Sequence, residues 1–215
     1  MPRPGPALLG LALLLAACSG GSGGSGGGSI ADNGLDGFGT IYWRYYSTSY
    51  APTDIAFAGG SGQLLTQILG NPFGGPQEQF DTAVTNAMYG AHFGPPTRFT
   101  TTPVGNFKRI FAVRVVFDAT YSVTVNTICS IPPESPKRTG PGSGTVRFSA
   151  AFCQSGGALT YLEAGGSGYR GPDDPRFVQL IKQVTMTLFS PQNPELRRGH
   201  EEHREHEMRR RRRGG

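Results

Sequence analysis

Apolar and polar positions follow two rhythms along this chain. Between Pro76 and Tyr89, Phe80, Ala83, Val84, Ala87 and Met88 recur at spacings of three and four, one stripe of an α-helix. Pro76 suits the first turn of that helix and Gly90 its stop. A second helix is predicted from Pro175 to Phe189. Its core face is Phe177, Leu180, Ile181, Val184 and Leu188, with Asp174 as N-cap, Pro175 in the first turn and Pro191 beyond the end.

Elsewhere the rhythm is that of strands. Ile41–Tyr46 is rich in aromatic residues, which favour strands. Asp54–Ala58 and Leu64–Leu69 flank a Gly/Ser cluster and read as a hairpin. In Phe107–Asp118 the odd positions are apolar except Arg109. In Thr145–Gln154 the even positions Val146, Phe148, Ala150 and Phe152 form an inner face, and Ala158–Ala164 pairs with it across Ser155-Gly156-Gly157. Strands interleaved with two helices predict an α+β fold, an antiparallel sheet with both amphipathic helices packed on one face. The Pro- and Gly-rich run between Ile131 and Gly144 reads as a mobile surface loop.

The first residues follow neither rhythm. Arg3 precedes an apolar run, Ala7–Leu15, which is about half the length that spans a bilayer, so residues 1–17 read as an export signal. The run closes on Leu15-Ala16-Ala17-Cys18, which resembles the lipobox of bacterial lipoproteins. That resemblance implies cleavage before Cys18, a diacylglyceride on its sulfur and acylation of the new amine. The alternative is an ordinary secretory signal. Ser19, a non-acidic residue after the cysteine, implies sorting to the outer membrane, with the domain facing the periplasm. Residues 19–29 are all Gly or Ser, a flexible tether with a root-mean-square reach of roughly 18 Å. One domain then remains, residues 30–194, followed by a polar tail, 195–215.

Charge sharpens this division. The net charge is +5, yet residues 30–194 hold 11 Lys and Arg against 10 Asp and Glu, while the tail holds 8 Arg against 5 Glu. A nucleic-acid-binding domain would carry its basic residues on the folded part, so no nucleic-acid partner is expected. In the tail, Arg209, Arg210, Arg211, Arg212 and Arg213 suit anionic lipid or lipopolysaccharide phosphates, because guanidinium binds phosphate in a bidentate fashion. His200, His203 and His206 are weak candidate metal ligands, lacking neighbours that would orient them; a solvated tail is the alternative.

Chemistry inside the domain is sparse. With Cys18 lipidated, Cys129 and Cys153 are an even pair in an exported chain and are predicted to form a disulfide; the alternative is a reactive thiol, for which no neighbouring histidine is available. His92 is the domain's sole histidine and reads as a solvated loop residue. No phosphate-binding glycine loop, zinc spacing or catalytic triad is present, so neither cofactor nor enzyme activity is expected. The segment Gly94–Pro103, stiffened by proline, displays Arg98 and Phe99 as candidate partner contacts; alternatively it is a rigid connector whose Phe99 packs on the core and whose Arg98 caps a carboxylate. Tyr42, Tyr45, Tyr46 and Tyr50 either face a partner or form sheet faces.

Gly70-Asn71-Pro72-Phe73, the helix with Phe80-Asp81, the segment Gly94–Pro103, Ala151-Phe152-Cys153 and Asp174-Pro175 with Leu188-Phe189 together resemble a group of small exported alphaproteobacterial proteins of uncharacterised activity. The resemblance covers most of residues 50–191. It implies an envelope location and a common fold and transfers no activity. The functional expectation is a membrane-anchored envelope lipoprotein that acts as a structural or interaction module; the alternative is a periplasmic lipoprotein that binds a small ligand or metal.

Overall fold

The computed structural model describes residues 39–119, 122–133 and 144–195. The signal, Cys18, the Gly/Ser tether, the Pro/Gly-rich loop at 134–143 and the tail carrying His200, His203, His206 and Arg209 to Arg213 lie outside the described residues.

The elements are β1 (Thr40–Tyr46), α1 (Asp54–Ala58), β2 (Gln63–Leu69), α2 (Gln77–Met88), β3 (Arg98–Thr100), β4 (Phe111–Phe117), a 3-10 turn (Ile128–Ser130), β5 (Val146–Gln154), β6 (Gly157–Gly166) and α3 (Pro175–Leu188). They make an α+β fold around a six-stranded sheet in the order β1-β6-β5-β4-β2-β3. The sheet is mixed, not antiparallel throughout as expected. β1, β6, β5 and β4 are antiparallel neighbours, whereas β2 pairs parallel to both β4 and β3. The cause is connectivity: β2 and β3 are joined through α2, and a parallel pair needs such a crossover. Alternation along a strand encodes which side faces the core, not which way the neighbour runs.

The β5–β6 hairpin forms as read, turning through Ser155 and Gly156, both with positive φ. The other expected hairpin does not form, because Asp54–Ala58 is a short helix. Asp54 folds back to accept the Ala51 N–H at 2.8 Å, and Ile55 and Ala58, three apart, are its buried residues. At the end of β2 the chain turns through Gly70, with φ of +87°; a Cβ there would lie 2.7 Å from the Phe117 carbonyl oxygen. Glycine is needed for both reasons.

Both helical stripes enter the main core. Phe80, Val84 and Met88 of α2 and Phe177, Leu180, Ile181, Val184 and Leu188 of α3 join Val113, Val115 and Phe117 of β4 and Phe148, Ala150 and Phe152 of β5. Aromatic rings dominate it: Phe80 meets Phe117 edge-on at 4.9 Å between centroids, and Phe73 meets Phe177 at 5.1 Å. Asp174 caps α3 as expected, its carboxylate accepting the Arg176 N–H at 2.9 Å. The Arg176 side chain above all, then that bond and the Arg170 N–H, hold its carboxyl well below the usual carboxylate range.

The alternate residues of β5 are buried too, and this was not foreseen. Ala151 and Cys153 pack with Leu69, Val116, Tyr161, Ile128, Cys129 and Ile131 in a second, smaller core. The segment around the 3-10 turn covers that face. The Cys129–Cys153 disulfide fastens it, Arg114 donates to the Ile131 carbonyl, and the Tyr161 hydroxyl lies 3.0 Å from the Val123 carbonyl.

Candidate functional site

The Gly94–Pro103 segment contains more structure than a stiff connector. Arg98–Thr100 is strand β3, parallel to β2, with Arg98 opposite Gln63 and Phe99 opposite Leu64. Strand geometry splits the two candidate contact residues. Phe99 turns inward, is 3 % exposed and packs against Phe189 and His92, so its side chain cannot be a surface contact. Arg98 points out and is exposed.

Arg98 borders a groove of about 670 Å³ between β3 and α2. One wall carries Arg98 and Thr100 to Thr102; the other carries Glu78, Asp81, Thr82, Thr85, Asn86 and Tyr89. The helix presents this polar face because its apolar stripe is in the core. Among the described residues, the Arg98 guanidinium and the Glu78 carboxylate have no side-chain partner. Asp81 is engaged, accepting from the Gln77 amide at 2.7 Å. The Thr82 and Thr85 hydroxyls donate back into the helix at 2.8 Å, to Glu78 O and Asp81 O, keeping oxygen lone pairs for a ligand.

The backbone of β3 adds a further feature. The Arg98 N–H donates to Gly62 O at 2.9 Å, so Arg98 and Thr100 address β2 with their main chain. Strand alternation then sends the Phe99 N–H and C=O to the opposite side. Phe99 lines the groove although its side chain is in the core, so it offers backbone there. Among the described residues no strand pairs with that side of β3, so the groove combines a strand edge, a cation, a carboxylate and several hydroxyls.

A second concavity, about 700 Å³, lies on the other sheet face near Asp118, Arg147, Ser149 and Glu163. Two of its lining residues meet the buried Tyr161 hydroxyl, which lies 2.8 Å from Glu163 Oε1 and 3.2 Å from Ser149 Oγ. Burial, with Glu163 adding to it, pushes the Tyr161 hydroxyl up to about 12. A phenol with that value stays protonated at neutral pH and serves as a structural hydrogen-bond donor rather than an acid or base.

His92 is not the solvated loop residue expected. It is half-buried, edge-on to Phe99 at 5.5 Å and to Phe189 at 6.0 Å. Its Nδ1 lies 3.2 Å from Phe93 O, which assigns the proton to Nδ1. Nε2 is buried without a hydrogen-bond partner among the described residues. Of the tyrosines, Tyr42 is exposed, whereas Tyr46 and Tyr50 are in the core and donate to Thr187 O at 2.6 Å and Ser190 O at 2.7 Å. Among the described residues, no group of three or more His, Cys, Asp or Glu could hold a metal ion, and no helix is long and apolar enough to cross a membrane.

No protein-family model matches this chain, nor does any curated protein. Among solved structures it is similar to a PelC dodecamer from Paraburkholderia phytofirmans, at 13% identity over 72% of this chain and 99% of that one, with a TM-score of 0.41. A likeness that low bears on neither fold nor function.

Proposed function

We propose that this chain is a lipid-anchored interaction module of the bacterial envelope, a binding protein rather than an enzyme, and that its α2–β3 groove receives an extended segment of a protein partner. In this reading export ends at Cys18, which carries the lipid, and the Gly/Ser tether holds the domain on the periplasmic side of the outer membrane. Arg209 to Arg213 hold the other terminus to anionic headgroups or lipopolysaccharide. Both long helices lie on one face of the sheet, where α2 forms the second wall of the groove.

The observation that carries this reading is the β3 edge. An extended peptide lying along it would pair with the Phe99 main chain, the way strands are commonly added to an exposed edge. Arg98 and Glu78, on opposite walls, would select for charge along that peptide, and unpaired charges at the rim steer encounter more than they hold the complex.

A photo-crosslinking residue at Thr101 in the full-length chain tests this in intact cells. It should capture a defined envelope protein; Thr82→Trp, which fills the groove, should abolish capture, and Arg98→Glu should weaken it, while the protein level is unchanged. Capture that survives both substitutions contradicts the reading.

A further inference from the structure

The end of the domain where β2, β3 and β4 begin is unlike the rest of its surface. Phe57 in α1, Phe93 after α2, and Val104 and Ile110 between β3 and β4 are each more than half exposed, four of the eight large exposed apolar side chains among the described residues. They converge on one end. The parallel register of Thr66 with Val113 places Ile110 level with Gln63, whose side-chain amide binds both main-chain groups of Val104, at 3.2 and 3.4 Å. Phe57 meets Phe111, the first residue of β4, edge-on at 5.8 Å. A Cβ on Gly94 would lie 3.7 Å from Ile55, so the loop bearing Phe93 abuts α1.

Two cations stand among these tips. The Lys108 ammonium lies 5.0 Å above the Phe57 ring, and Arg109 is exposed beside it in sequence. Carboxylates fall toward the other end: Glu78 opens α2, Asp118 follows β4, and Asp174 precedes α3. Asp54 and Glu195 are the local exceptions: the Asp54 carboxylate is turned to the Ala51 N–H, and Glu195 follows Asn193, which is bound to Ser47 and Tyr50 at the end of β1.

We infer that this end is a membrane-contact surface, with Phe57, Phe93, Val104 and Ile110 entering the interface of an anionic bilayer and Lys108 and Arg109 meeting its phosphates. Exposed apolar side chains with a lysine and an arginine among them suit lipid better than a protein partner. Lysine is depleted from protein interfaces, whereas long cationic side chains at a headgroup layer keep their charge in water while the stem lies in lipid. The inference is independent of the lipid on Cys18 and of the groove.

The test uses the full chain with Cys18→Ser, so that no acyl anchor contributes. Trp43→Phe removes the sole tryptophan, and Ile110→Trp places an indole at the predicted contact. With vesicles of phosphatidylethanolamine and phosphatidylglycerol carrying brominated acyl chains, that indole should be quenched; with phosphatidylcholine it should not. Phe57→Ser with Val104→Ser should weaken partition roughly tenfold. Lys108→Glu with Arg109→Glu, at exposed positions outside the core, should do likewise. Vesicle binding without quenching would assign binding to the arginine tail and overturn the inference. So would no binding at all, or quenching that neither pair of substitutions reduces.

Discussion

At the scale of the residue, Tyr161 shows how environment sets chemistry. Its ring fills the second core and its hydroxyl is shared among Glu163, Ser149 and Val123. Burial raises the phenol from 10.0 to about 12 in the folded chain. The sign follows: a raised value stabilises the fold fully below pH 10, and that contribution is lost as pH rises toward 12. Tyr161→Phe should therefore cost about 1 kcal/mol at neutral pH and show a shallower loss of stability from pH 10 to 12, measured by denaturant unfolding. Parallel pH profiles for the two proteins would refute this. Residue-level chemistry was only partly legible in the sequence. The Asp174 cap was, because a cap and its helix are neighbours in sequence. The sequence does not decide whether Phe99 is buried, because Arg98-Phe99-Thr100 is too short for alternation to reveal an inner side. His92 was misplaced, because the Phe189 ring that shelters it is almost a hundred positions away.

At the scale of the element, length governs what a sequence discloses. α2 and α3 repeat their stripes over several turns, and the β5–β6 hairpin states its turn in glycine, so all three were readable. α1 and β3 are five and three residues long, and a period cannot be established over so short a run. Strand direction was invisible for a different reason, since parallel and antiparallel neighbours demand the same alternation. The groove went unseen because a polar helix face opposite a strand reads just like one that faces water. The 3-10 segment was also missed, although the cysteine pairing that secures it was foreseen. That pairing spans a sequence separation of 24, and the second core rests partly on it. Replacing Cys129 and Cys153 together with alanine should cost roughly 3 kcal/mol in the chain-entropy picture. Amide exchange should accelerate first in residues 122–133, while the helix-side core stays protected. Uniform acceleration through the domain would show that the bridge supports the whole fold rather than this face.

At the scale of the whole molecule, geometry relates the tether to the proposed membrane surface. Thr40 pairs with Gly165, so β1 enters at the end opposite Ile110. The ten residues of β6 span about 33 Å. The chain from Cys18 to Gly39 can extend to about 70 Å, enough to pass along the domain and let either end face the bilayer. The proposed anchor, contact surface and groove are thus compatible in one molecule, the proposed lipid setting location and the proposed groove setting the partner. The proposed anchor is central, because the proposed envelope location rests on it. Mass spectrometry of the mature amino terminus, on protein taken from the envelope, tests it directly. The account predicts a chain beginning at Cys18, with diacylglycerol on the sulfur and an acyl group on the amine. A chain that starts at another residue, or at Cys18 with its thiol unmodified, contradicts it.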